Sequence, residues 1–297
     1  MPEAMLWTML WILTVPAVLA ALLIFLIFPA RRRHPDRKLF EGKFIAHRGL
    51  HGGEAPALEE ARDNEGGYAE RGYAVPENSL TAFRLAAEKG YPIETDIHIT
   101  KDGKIAVFHD DTLDRMCGRP GKPEEFTLKD LRELTLAGTR EHIPSFEELL
   151  ETVDGRVPLL IEFKCVDAEH CEKLCRAAVP VLDTYKGKYA IQSFYPFVQR
   201  WFKKNRPEVM RGQLASGFYK DGPVKFLLGT LMFNIFARPD FVSYNMDNRG
   251  NVFFRLSVLL GAMPFGWTFR TREEFERGRK AYKAYIFENE TTVADNG

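Results

Sequence analysis

The stretch IETDIHITKDGKIAVFHD, residues 93–110, decides how the rest of the chain is read. It opens with a run rich in isoleucine, turns at Lys101-Asp102-Gly103, and returns as a second apolar run ending at His109-Asp110. Branched apolar residues bounded by a polar turn with glycine are the pattern of buried strands. Within the first run Glu94 and Asp96 stand two apart, so on a strand both carboxylates project to one face. Carboxylates turned into a protein interior repel each other and are costly to ionise without a counter-charge. This stretch therefore asks for a cation.

Further strands are expected outward from it, at 44–47, 158–164, 189–194, 210–215, 240–244, 264–269 and 284–288, beside 93–99 and 105–109. Several are continuous Val/Ile/Phe runs, as strands buried on both faces should be. Helix signals lie between them. Asn78 is placed to cap a helix over 79–89, Thr127 one over 128–134, and Ser145 with Glu148 forms a capping box. Strand–helix alternation of this kind gives parallel βαβ units. Eight or nine strands over about 250 residues favour a TIM-type (β/α)8 barrel over an open sheet. The expected division is an anchor at 1–30, a basic linker at 31–42 and the barrel at 43–290.

The ionisable residues gather at the strand ends: His47-Arg48-Gly49, Glu94-Thr95-Asp96, His109-Asp110 and Glu162-Phe163-Lys164. The C-terminal strand ends of such a barrel form its active face. With oxygen donors only from Glu94, Asp96 and Glu162, Mg²⁺ or Ca²⁺ suits the site better than zinc. Arg48 and Lys164 add positive charge suited to a phosphate. Two histidines, with an ordinary pKa near 6.5, can divide proton removal and proton donation between them. Any one of these residues alone is more often a solvated charge or a satisfied hydrogen-bonder, and their joint recurrence at successive strand ends carries the reading. Gly67 and Gly72 have phosphate-loop spacing, but Tyr73 stands where lysine is needed. No G-x-S-x-G elbow is present.

Lys+Arg and Asp+Glu both number 41, giving a net charge of +0, so no overall field draws nucleic acid. Residues 4–30 carry no charge. As a helix they reach roughly 40 Å at about 1.5 Å per residue, enough to cross a hydrocarbon core of about 30 Å. A cleaved signal peptide competes, but no Lys or Arg precedes the run and the run is longer than such peptides use. Arg31, Arg32, Arg33, Arg37 and Lys38 follow while only Glu3 precedes, which predicts a single-pass cell-membrane protein with its barrel on the cytoplasmic side. The four cysteines, Cys117, Cys165, Cys171 and Cys175, are expected to be reduced, and His170 with Cys171 and Cys175 lacks the second ligand pair of a zinc site.

The order of motifs resembles the glycerophosphodiester phosphodiesterase family from residue 44 to about 288. The pieces are His47-Arg48-Gly49, Pro76-Glu77-Asn78-Ser79, Glu94-Thr95-Asp96, Thr100-Lys101-Asp102-Gly103, His109-Asp110 and Leu113-Asp114-Arg115. Ile143-Pro144-Ser145-Phe146-Glu147, Glu162-Phe163-Lys164, Gln192-Ser193-Phe194 and Trp267-Thr268 follow. The resemblance implies hydrolysis of a glycerophosphodiester to glycerol 3-phosphate and an alcohol. It implies His47 and His109 as the acid–base pair and Glu94, Asp96 and Glu162 as holders of the metal. Arg48 and Lys164 would meet the phosphate, with Phe194 and Trp267 beside the glycerol or alcohol. Lysophospholipase D-type cleavage of membrane lipids is the close alternative, and a non-catalytic, membrane-tethered binding barrel the distant one. Two departures stand out: a long polar insertion at 50–75, and Met116-Cys117 where the family often has threonines. Residues 223–237 read as one helix apolar on all sides, buried by packing or dipping into a membrane or a partner.

Overall fold

The computed structural model describes residues 3–52, 75–217, 223–288 and 290–292. At its centre is a nine-stranded sheet. The strands are β1 (Phe44–Ala46), β2 (Ile93–Ile99), β3 (Ile105–Val107), β4 (Leu159–Phe163), β5 (Tyr189–Ser193), β6 (Met210–Ala215), β7 (Phe241–Asn245), β8 (Met263–Phe269) and β9 (Ala284–Phe287). Each falls on a run expected from the sequence. β3 pairs antiparallel with the end of β2 and stays outside the ring. The other eight run parallel, and the ring closes where β1 meets β9 (Ile45 opposite Ile286) and β2 (Ala46 opposite Ile93). This is the closed TIM-type barrel.

Side-chain alternation explains where its contents lie. Phe40, Ile45, Leu160, Ala190, Met210, Phe241, Met263, Phe265 and Ile286 form one buried apolar cluster, the floor of the barrel interior. Phe241 and Phe265 stack at 4.2 Å between ring centroids. Gly212 leaves room for them, since a Cβ there would come within 2.0 Å of the Phe241 ring. Successive inward positions on a strand are two residues apart. One step beyond this floor, Ile45 gives way to His47, Leu160 to Glu162, Phe265 to Trp267 and Ile286 to Glu288. The mouth is thus the next layer of the same packing scheme.

The helices are α1 (Glu3–Ile27), α2 (Leu80–Glu88), α3 (Asp114–Cys117), α4 (Leu128–Arg132), α5 (Phe146–Val153), α6 (Ala168–Thr184), α7 (Pro196–Asn205), α8 (Pro223–Gly229), α9 (Asn234–Ala237), α10 (Val252–Leu259) and α11 (Arg272–Gly278). Ser145 and Glu148 make the expected capping box on α5, and Thr127 caps α4, which stops at Arg132. Three expectations are corrected. Ser79, not Asn78, caps α2, because its hydroxyl accepts from the Ala82 amide. The apolar helix expected over 223–237 is two helices, broken where Leu231 takes a left-handed φ of 59°. Cys165 and Cys171 are joined by a disulfide, because the first turn of α6 folds back to bring their Cα atoms within 5.1 Å. Cys117 and Cys175 are free. Most of the insertion at 50–75 lies outside the described residues.

Within α1, Leu10–Ile27 is long and apolar enough to cross a membrane, with a mean hydropathy of 2.8. Its end is fastened to the barrel. Asn234 Nδ2 donates to the Ile27 carbonyl, Arg238 Nη1 donates to the carbonyls of Phe25 and Phe28, and the Ala30 amide donates to Pro239.

Candidate functional site

Glu94 and Asp96 leave β2 on its inward face, and Glu162 lies beside Asp96 in the β2–β4 register. All three are buried. One carboxylate oxygen from each lies within 4.8 Å of the other two. Lys164 reaches between them, with Nζ 3.0 Å from Asp96 Oδ1 and 2.7 Å from Glu162 Oε1. The Arg48 amide donates to Glu94 Oε2 at 3.2 Å, and its guanidinium Nε lies 3.8 Å from Asp96 Oδ2. Asn78 Nδ2 donates to Asp96 at 3.0 Å, while Asn78 Oδ1 accepts from Thr95. The residue read as a helix cap thus orients a site carboxylate instead.

The His47-Arg48-Gly49 turn depends on its glycine. Gly49 has a φ of 80°, and a Cβ there would come within 2.8 Å of Ala82 on α2. The turn can therefore press against α2 while presenting His47 and Arg48 inward.

The electrostatics record an excess of negative charge. Burial, followed by Asp96 and Glu162, pushes the Glu94 carboxyl well above the usual range. Burial works the same way on Asp96, but Lys164, His109, Arg48 and the Asn78 hydrogen bond outweigh it and hold its carboxyl low. Burial would lower the Lys164 ammonium, yet Asp96 and Glu162 raise it. Two cations thus serve three carboxylates, and Glu94 is the one whose charge is least matched. A divalent ion with oxygen ligands would relieve this imbalance, and the donor set fits such an ion.

The two histidines are held alike. His47 Nδ1 donates to Glu288 Oε1 at 3.1 Å, and Arg270 Nε holds the other oxygen of Glu288 at 2.8 Å. His109 Nδ1 donates to Asp110 Oδ1 at 2.7 Å, and Arg115 grips Asp110 with Nε at 2.6 Å and Nη2 at 2.9 Å. A carboxylate on Nδ1 fixes the tautomer and leaves Nε2 facing the site. His47 Nε2 lies 3.9 Å from Glu94. Burial, only partly offset by Glu288, lowers the His47 pKa to about 4, so its imidazole is neutral at physiological pH. Burial would raise the Glu288 carboxyl, but the hydrogen bond with His47 and the neighbouring charges, Arg270 among them, together lower it to about 2. Glu77 ties the halves together by accepting from both Arg48 and Arg115.

Glu288, Arg270 and Gln192, which donates to Glu94 at 3.4 Å, were not singled out as site residues from the sequence. Glu288 carried a usable signal, standing one inward step beyond Ile286. His51 also lies half-buried near Glu77 and Glu288, with no partner for its Nε2 among the described residues.

Beside the carboxylates opens a cavity of about 580 Å³, lined by His109, Glu162, Lys164, Phe194 and Leu228, among others. Phe194 meets Trp267 edge to face at 5.9 Å. The Trp267 indole N–H is buried without a partner among the described residues. All nine residues expected at the site stand at this mouth.

The model of the glycerophosphoryl diester phosphodiesterase family matches residues 47–290. A glycerophosphodiester phosphodiesterase of Caldanaerobacter subterraneus subsp. tengcongensis is 31% identical over 229 residues, covering 70% of this chain and 86% of that protein. Human glycerophosphodiester phosphodiesterase 1 is 35% identical over 115 residues, 35% of each chain. Among solved structures, an Oleispira antarctica phosphodiesterase in complex with the product sn-glycerol-3-phosphate superposes with a TM-score of 0.65. It is 21% identical and covers 85% of this chain and 95% of that one. At that identity the likeness speaks for the fold.

Proposed function

The chain belongs to the glycerophosphoryl diester phosphodiesterase family and is a phosphoric diester hydrolase; on that premise we propose that it cleaves glycerophosphodiesters to glycerol 3-phosphate and an alcohol by histidine acid–base catalysis at a divalent-cation site. One observation carries this reading: three buried carboxylates converge with Arg48 and Lys164 between two histidines, each held by its own carboxylate.

Glu94, Asp96 and Glu162 would hold the cation, Mg²⁺ or Ca²⁺, which when bound draws charge from the phosphodiester oxygens. Arg48 and Lys164 meet the remaining phosphate charge, with Arg48 suited to a bidentate grip. His47 is kept neutral by burial, with its Nδ1 proton committed to Glu288, so Nε2 takes a proton from the attacking nucleophile, whose oxygen replaces the departing alkoxide on phosphorus. His109 faces the cavity and gives a proton to the departing alkoxide. Asp110 and Arg115 fix its ring during that transfer. The edge-to-face pair of Phe194 and Trp267 forms an apolar wall for the glycerol or alcohol, and the indole N–H, without a partner among the described residues, is available to a hydroxyl oxygen there.

The test is turnover of glycerophosphocholine by the full-length chain, with and without EDTA. Release of glycerol 3-phosphate that stops with chelator and returns with Mg²⁺ or Ca²⁺ is expected. Chelator-resistant turnover contradicts the metal assignment, and no turnover of any glycerophosphodiester contradicts the substrate class. A second reading, cleavage of lysophospholipids, is favoured by Leu228 of the apolar α8 standing in the cavity wall. A long-chain lysophospholipid compared in the same assay separates the two.

We also propose that α1 is a retained single-pass anchor. The basic flank of 31–38 argues for a barrel on the cytoplasmic side, while the Cys165–Cys171 bond argues for an oxidising compartment. Thiol labelling in intact cells, before and after reduction, decides between them.

A further inference from the structure

The end of α1 is built into the barrel. The last carbonyls of a helix have no partner within the helix, and here side chains of the α9 region supply them. Asn234, itself fully buried, donates to Ile27 at 3.2 Å, and Arg238 donates to Phe25 at 2.8 Å and to Phe28 at 2.9 Å. Ile27 is buried in the same core cluster as Leu231 and Phe254, and the Arg238 guanidinium lies 5.1 Å from the centre of the Phe25 ring. Without α1, a buried asparagine would lose its acceptor and an apolar seat would open, both of which cost stability. Anchor and barrel are therefore held in one orientation.

Around that seat the barrel exposes large apolar side chains. Phe236 is 50% exposed, Val252 65% and Leu259 81%, with Phe226 and Leu227 exposed on α8. Val252 and Leu259 are seven apart on α10 and so share one face. Apolar area gathered on one flank marks a contact surface rather than scattered surface hydrophobics. Arg200 lies over the Phe236 ring at 5.9 Å, and Arg31, Arg32 and Arg33 are exposed just past the anchor. Aromatic and basic side chains together suit the headgroup region of an anionic leaflet.

We infer that the α8–α10 flank is a membrane-contact surface, on which the barrel lies against the same leaflet that α1 enters. This rests on the reading of α1 as an anchor. α8 then belongs to two places at once, because Leu228 and Gly229 also line the substrate cavity. The rim of the cavity is held at the lipid surface, where amphiphilic phosphodiesters reside.

The experiment uses the full-length chain in lipid nanodiscs containing anionic phosphatidylglycerol, in a Cys117→Ser background in which the remaining free thiol, Cys175, is buried from the label, with a fluorophore on single introduced cysteines. The positions are Phe236→Cys and Leu259→Cys on the flank, Leu19→Cys within α1 and Glu151→Cys on α5, across the barrel. Lipids carrying spin labels on their acyl chains quench dyes that touch the bilayer. Emission lost at positions 19, 236 and 259 but kept at 151 is the expected result. Quenching at 19 with emission at 236 and 259 as strong as at 151 overturns the inference and leaves the anchor standing. The same holds if the flank dyes are shielded from an aqueous quencher yet untouched by the lipid one, because then a protein partner or a second copy covers the flank. Absence of quenching at 19 removes the anchor itself, and the inference with it. Retained phosphodiesterase turnover identifies the labelled variants that are folded.

Discussion

The floor and the mouth of the barrel interior are built on the same strands and the same side-chain alternation, yet they do opposite things. At the floor, burying Phe40, Phe241, Phe265 and Met263 stabilises the fold by about 25 cal/mol for each Å² of apolar surface removed from water. One inward step higher stand buried Glu162 and half-buried His47 and Glu288, and burying charge costs free energy unless it is paired. The contrast shows how the fold can hold three carboxylates together: the layer beneath, with the packed helices outside, fixes strands that the mouth alone would push apart. Stability and chemistry occupy adjacent layers.

Substitutions in the two layers should therefore separate activity from stability. The largest effect is expected at the mouth. His47→Ala or His109→Ala should lower turnover by roughly 10²–10⁴-fold while the thermal midpoint holds, measured by initial rates alongside melting. Phe265→Ala at the floor should do the reverse. A loss of about 3–5 kcal/mol of stability is expected from urea unfolding, with turnover per folded molecule retained. Gly212→Ala should cost about 1–3 kcal/mol through the forced approach to Phe241, again with the site intact. The smallest effect sharpens the contrast most. Glu94→Gln replaces a carboxyl whose ionisation is opposed by burial, Asp96 and Glu162, so metal-free protein should gain on the order of 1 kcal/mol and lose turnover. A variant that is both more stable and inactive would mark the mouth as the strained layer.

The sequence reading succeeded where local signals suffice. The continuous apolar runs located the strands, and the two-residue spacing of Glu94 and Asp96 anticipated their common face. It fell short where the answer depended on distant partners. Glu288 meets His47 across 241 residues; strand alternation puts Glu288 at the mouth but does not name its partner. The Asn78-Ser79 pair offers two capping side chains, and only the approach of Asp96 to Asn78 assigns each its place. Residues 223–237 are apolar nearly throughout, so the one local sign of the break before Leu231 is Gly229-Thr230, where α8 ends. The Cys165–Cys171 pairing depends on how the first turn of α6 folds back on β4. Spacing alone does not reveal that.

The most direct test of the carboxylate cluster is calorimetric titration of Mg²⁺ and of Ca²⁺ into the EDTA-stripped, full-length chain, in the native protein and in Asp96→Asn. A saturable site whose binding is lost in the variant, and whose occupancy tracks the recovery of glycerophosphodiesterase turnover, is what three converging carboxylates require. Equal binding by both proteins, or full turnover with no ion bound, would contradict the assignment.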